Sequence, residues 1–183
     1  MRKISYLVIF FFLNVTFLHS EEIKLTKITE SLKSPWSLSF INQSEILITE
    51  KSGNLIYFHL EKEKLQKIKH NLKILEKGQG GLLDILYHNK KVFVSYSENR
   101  GDWKSSTSIA KGEFNKNEIN FKNIFRAEPP ISGGYHFGSR LAIKDNYLFA
   151  SVGERGQGMI AQDATKHPGS IIRIHLDGSF PKD

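Results

Sequence analysis

Residues 138–153 read GSRLAIKDNYLFASVG: an apolar run, a three-residue turn at Lys144-Asp145-Asn146, and a second apolar run opening at Tyr147. The same order occurs upstream in GLLDILY, HNK and VFVSYS (residues 81–97), and earlier still in WSLSF, INQSE and ILITE (residues 36–50). Each unit then adds a third run: LIYFHL at 55–60, TSIAKGEF at 107–114 and GSIIRIHL at 169–176. The middle runs begin near Ile46, Val92 and Tyr147, spacings of 46 and 55 residues. The runs are rich in β-branched and aromatic residues, partly alternating, and bounded by Gly, Asn, Asp or Pro, which is the signature of short strands. KLQKIKHNLKIL and EINFKNIF offer a fourth strand to the first two units. Helical periodicity is weak throughout.

A four-strand unit repeated every 40–55 residues or so predicts β-propeller blades. A β-sandwich also has short, evenly spaced strands, but it does not repeat this whole order. The expected fold is therefore all-β, a partial β-propeller of about three blades. Propellers close with more blades than that, so residues 21–183 are expected to be the N-terminal part of a longer propeller, with a second chain as the alternative way of completing the arc. An open arc would leave strand edges and apolar faces uncovered.

The chain has 183 residues and no cysteine. That excludes a disulfide scaffold, a cysteine-based zinc site, an iron–sulfur cluster and a cysteine nucleophile. Twenty-six basic residues against 19 acidic ones give a net charge of +7. The lysines are scattered, without a helix-face stripe, so no nucleic-acid partner is expected. Arg2 and Lys3 precede an apolar run from Ile4 to Leu18, then Ser20 and the acids Glu21 and Glu22. This is the pattern of an export signal at 1–20, cleaved after Ser20. A membrane anchor needs about 20 apolar residues, and this run is shorter and interrupted by Asn14. A periplasmic or secreted protein without stable membrane insertion is expected.

The polar residues that suit chemistry fall in three loops. In GGYHFGSRL (133–141), His136 follows two glycines just before a strand, and an imidazole suits acid–base work near neutral pH. In GERGQG (153–158), Glu154 leaves its strand where Glu50 and Glu98 leave theirs, placed to orient His136 or else to pair with Arg155. A dinucleotide loop would need a substantial helix after it, whereas this run soon meets Pro168-Gly169. In GQGGLLD (78–84), Gln79 can present an amide to a polyol or quinone edge, and Asp84 reads as a turn or strand-end residue. Ser37 beside Trp36 reads as core packing. The seven histidines form no metal motif, and no protein ligands for a metal are assigned.

SPWSLSF…ILITEKSGNL, GQGGLLDILYH, VFVSYSE, GGYHFGSRLAI, LFASVGERG and AQDATKHPGSIIRIHLDGSFPKD occur in that order. From about Ile28 to Asp183 the chain resembles the glucose/sorbosone dehydrogenase family, soluble aldose sugar dehydrogenases that use pyrroloquinoline quinone. The resemblance implies a six-bladed propeller with the quinone and a calcium ion at one end of its central channel. It implies that His136 is the general base on the anomeric hydroxyl, with hydride passing from that carbon to the quinone. It puts Glu154 where the family commonly has an acid, usually aspartate, beside that histidine. It puts Gln79 near quinone and sugar, and leaves Tyr135 at a variable position that bears on substrate preference. Arg140 and Arg155 are this chain's further candidates for cofactor contacts. The family's calcium ligands, and the arginines and lysine that grip the quinone carboxylates, come from later blades, so residues 1–183 alone are expected to be inactive. The partners implied are a small-molecule sugar and an electron acceptor. A non-catalytic exported binding propeller and a lactonase-type propeller hydrolase stand as alternatives.

Overall fold

The computed structural model describes residues 23–182. The export-signal reading lies outside them. Among the described residues the strands are β1 (Pro35–Asn42), β2 (Glu45–Glu50), β3 (Leu55–His59), β4 (Lys64–His70), β5 (Leu82–His88), β6 (Lys91–Asn99), β7 (Lys104–Glu113), β8 (Glu118–Ile119), β9 (Lys122–Arg126), β10 (Ile131–Ser132), β11 (Gly138–Lys144), β12 (Tyr147–Val152) and β13 (Ile171–His175). A short 3-10 turn at Gly158–Gln162 follows the GERGQG loop, far too little for a dinucleotide-binding helix. No described helix is long and apolar enough to cross a membrane.

The strands form three sheets in chain order, each a run of antiparallel neighbours. The first is β1-β2-β3-β4, the second β5-β6-β7 with β9, and the third β11-β12-β13. KLQKIKH and the KNIF part of EINFKNIF, extended by Arg126, do supply fourth strands, β4 and β9. Two short pairings were not anticipated. β8 runs parallel to β4, stitching the second unit to the first, and β10 pairs with the start of β7.

Strand alternation explains the stacking. Val92, Val94 and Tyr96 of β6 point to the first sheet, against Leu47, Leu55 and Tyr57. Phe93 points the other way, with Ile109, against Leu148, Ala150 and Ile174 of the third sheet. Each fully buried Val, Leu, Ile or Phe among them contributes about 1.5–3 kcal/mol through removal of apolar surface from water. β6 is thus covered on both faces, whereas Leu38 and Phe40 on β1 and Ile171 on β13 lie exposed at the two ends of the stack. This is the partial β-propeller that the repeat predicted.

The innermost strands β1, β5 and β11 lie side by side at the hub. Each carries a register shift at the corresponding place: between Pro35 and Ser37, between Leu82 and Ile85, and between Gly138 and Leu141. Such bulges bend a strand and re-aim its side chains. Here they bring Ser37, Asp84 and Leu141 together. The Ser37 hydroxyl donates to Asp84 Oδ1 and the Leu141 N–H donates to Asp84 Oδ2 at 2.7 Å. Asp84 is therefore a buried bracket across three sheets rather than a strand-end residue, and Ser37 is its hydrogen-bond partner rather than simple core packing.

Candidate functional site

Two connections emerge at the same end of the stack, because β11 and β12 are antiparallel and Gly138 pairs with Val152. One is residues 133–137, entering β11. The other begins at Gly153, leaving β12. A third loop, 77–81, presses against the first. Gln79 N donates to Gly134 O at 2.7 Å, and a Cβ on Gly78 would stand 2.4 Å from that same oxygen. Only glycine permits this approach, and Gly78 also takes a left-handed backbone with φ +58°.

His136 sits where the three loops meet. Its φ of +46° lies in a region that non-glycine residues rarely adopt, so the surroundings must hold it there. They do so from several sides. Gln79 Oε1 accepts the His136 N–H at 2.8 Å. The Arg155 N–H donates to His136 O at 3.3 Å, and Gly153 N–H to Phe137 O at 3.0 Å. The Thr107 hydroxyl donates to Phe137 O at 2.7 Å and the Ser95 hydroxyl to Ser139 O at 2.7 Å.

The imidazole is paired through Nδ1 with Glu154 Oε1, which also accepts the Gly156 N–H at 3.0 Å. The hydrogen bond from His136 is the main reason the Glu154 carboxyl is held below the usual carboxylate range, with local backbone N–H groups adding to it. A carboxylate at Nδ1 fixes the proton there, leaving Nε2 as the basic nitrogen. The His136 side chain is 54% exposed and its Nε2 makes no hydrogen bond to the described residues. Tyr135 is exposed beside it, its ring edge-on to the imidazole with centroids 6.2 Å apart.

The fold thus gathers His136, Glu154 and Gln79 but treats the two arginines differently. Arg140 projects at the hub, its guanidinium 4.1 Å from the Trp36 ring centroid and 3.4 Å from Asp84. Its side chain is largely exposed and can meet an anionic group. Arg155, the other candidate for a cofactor contact, is directed into the protein. It is 4% exposed, and Nε, Nη1 and Nη2 all donate to the protein itself. The physical reason is the set of carbonyls from Gly133, Tyr135 and Ser105 that converge on this position and take its donors.

The sequence did not disclose the bracketing role of Asp84 or the supporting hydroxyls of Ser95, Ser105 and Thr107. A signal for the last two existed: Ser105-Ser106-Thr107-Ser108 is a run of hydroxyls inside a strand, and all four are buried. Among the described residues, no group of three or more His, Asp or Glu is placed to hold a metal ion.

The family profile described as Glucose / Sorbosone dehydrogenase matches residues 32–183. The chain is 30% identical over 171 residues to aldose sugar dehydrogenase YliI of Escherichia coli K12, covering 88% of this chain and 46% of that protein. It superposes on the crystal structure of the soluble aldose sugar dehydrogenase of Escherichia coli, in the apo-form, with a TM-score of 0.80 and 32% identity, covering 85% of this chain and 48% of that one. The PQQ-bound form of the aldose sugar dehydrogenase of Streptomyces coelicolor shares the fold, with a TM-score of 0.73 at 21% identity, covering 84% of this chain and 48% of that one. The chain spans about half the length of the curated relatives it matches. With most of its length inside the family profile, this chain belongs to the glucose/sorbosone dehydrogenase family.

Proposed function

We propose that the full-length protein oxidises an aldose sugar at its anomeric carbon, with pyrroloquinoline quinone as the resident oxidant and His136 as the base. The observation that carries this reading is the His136–Glu154 pair, which fixes the proton on Nδ1 and leaves Nε2 open to solvent. Nε2 then accepts the proton of the anomeric hydroxyl, a step worth roughly 10²–10⁴ in rate. Glu154 stays ionised and stabilises the imidazolium that results. Gln79 has its amide oxygen engaged by His136, so its amide N–H groups are the ones available to a sugar hydroxyl or a quinone carbonyl. The quinone, when bound, supplies the two-electron acceptor.

The residues present suit such a group. The glycine contact between loops 77–81 and 133–137 leaves backbone without side chains next to the imidazole's loop, and Arg140 offers a cation at the hub to an acidic cofactor. A calcium ion, which the family implies, would draw its ligands from the remainder of the full-length protein. Export through residues 1–20 would place the reaction in the periplasm or outside the cell.

The test is dye-linked oxidation by the full-length protein supplied with pyrroloquinoline quinone and Ca²⁺. Aldose-dependent dye reduction that requires the quinone is expected. Quinone binding without oxidation would favour a binding propeller, and lactone hydrolysis without quinone would favour a hydrolase; either result contradicts the proposal.

A further inference from the structure

We propose that Arg155 is a positioning residue for the His136 base, clamping the backbone of its loop while the adjacent Glu154 clamps its ring; the inference rests on the reading of His136 as the base. Carbonyl groups of the loop converge on this one side chain. Nη2 donates to Gly133 O at 3.0 Å and Nε to Tyr135 O at 3.0 Å, while the backbone N–H of the same residue reaches His136 O at 3.3 Å. The far side of the guanidinium is anchored on β7, where Nη1 donates to Ser105 O at 2.8 Å and Nη2 to the Ser105 hydroxyl at 3.0 Å. The group lies 3.6 Å over the Phe137 ring, which fixes its plane.

A planar fork of five donors can hold carbonyls in several directions at once, and a lysine ammonium cannot reproduce this from a single point. The loop needs such a device at His136, whose left-handed φ of +46° is one that non-glycine residues rarely adopt. The position is also an unfavourable one for a charge. Burial pulls Arg155 down to about 10, opposed by the nearby charge of Glu154, so it remains cationic at neutral pH. A buried guanidinium without a carboxylate bonded directly to it is costly compared with an apolar residue of the same size. Its bonds go to the loop carrying the base and to the strand beneath, which locates its role in the geometry of that loop.

The experiment uses the full-length protein with Arg155→Lys, Arg155→Met and Arg155→Ala. Because a displacement of about 1 Å can lower a rate on the order of 10²-fold, kcat for sugar oxidation is expected to fall about 10- to 100-fold in all three. KM for the sugar should stay within about threefold. Guanidinium ion added to Arg155→Ala should restore kcat at least about threefold, which addition to Arg155→Lys should not do. A readout independent of turnover is the Nδ1–H resonance of His136 in protein carrying ¹⁵N-labelled histidine. It should be present in the wild type and lost or broadened in Arg155→Lys and Arg155→Met, at temperatures where circular dichroism shows both folded. Wild-type kcat in folded Arg155→Lys and Arg155→Met, or loss of thermal stability alone, would overturn the proposal. If His136→Ala retains sugar oxidation, the functional reading fails instead; the resonance still decides the positioning claim, and its survival in both variants would refute it.

Discussion

The amide oxygen of Gln79 accepts the backbone N–H of His136 at 2.8 Å, joining residues 57 apart in sequence. It ties the second sheet's entry loop to the third sheet's, so the orientation of the imidazole depends on two units at once. Gln79→Ala removes that acceptor. A hydrogen bond of this kind is worth about 0.5–1.5 kcal/mol, so denaturant unfolding of the full-length protein should register a loss in that range. Turnover should fall about tenfold, because the left-handed angle at His136 is no longer held from this side. Gln79→Glu keeps an acceptor at the same place and should recover most of the stability. Equal stability in all three proteins would show that the bond does not hold the loop.

The His136–Glu154 pair makes a prediction in pH. The carboxyl of Glu154 is held below its ordinary value of 4.5, chiefly by the hydrogen bond from His136. A carboxyl lowered on folding contributes stability that is present above its unfolded value and lost as pH falls through its folded value. The stability difference between wild type and Glu154→Gln should therefore shrink as pH falls below about 4.5, as followed by urea unfolding across pH. In turnover at neutral pH, Glu154→Ala should cost about 10²-fold, since the imidazole loses the group that fixes its tautomer. A stability difference that persists undiminished as pH falls well below about 4.5 would contradict the pairing.

Asp84 gives a prediction about the hub. Its carboxylate accepts from the Ser37 hydroxyl and from the N–H groups of Ile85 and Leu141, and it is buried. Asp84→Ala leaves those donors without a partner, and Arg140 without its nearby carboxylate. The loss should be about 3 kcal/mol. Ser37→Ala removes one bond and should cost about 1 kcal/mol. Chemical denaturation of the full-length variants decides this; a near-neutral Asp84→Ala would mean that the bracket is dispensable.

Much of this architecture was readable from the chain. Expected middle strands near Ile46, Val92 and Tyr147 became β2, β6 and β12, opening at Glu45, Lys91 and Tyr147. Runs of β-branched and aromatic residues between Gly, Asn and Asp turns carry that information locally. The pairing of β8 with β4 was not readable, because two-residue strands form only where tertiary contacts supply a partner. The register of Glu50, Glu98 and Glu154 was visible, but their fates differ. Glu50 accepts the Lys33 N–H and the Asn54 amide, and Glu98 takes Ser108, Asn123 and Arg126. Only Glu154 meets a histidine, because GGYHFG lies opposite it across the third sheet's open end. Whether a charged side chain turns inward, as Arg155 does, depends on carbonyls brought together from β7 and the 133–137 loop, and no local pattern records that.

The most direct measurement is quinone-dependent aldose oxidation by full-length His136→Ala beside the wild type, with circular dichroism and thermal unfolding of both. Loss of the base should lower kcat by roughly 10²–10⁴. The fold should be unchanged, because the imidazole is half-exposed and its loop is held through the backbone. Undiminished turnover in a correctly folded His136→Ala protein would contradict the assignment of the base and the account built on it.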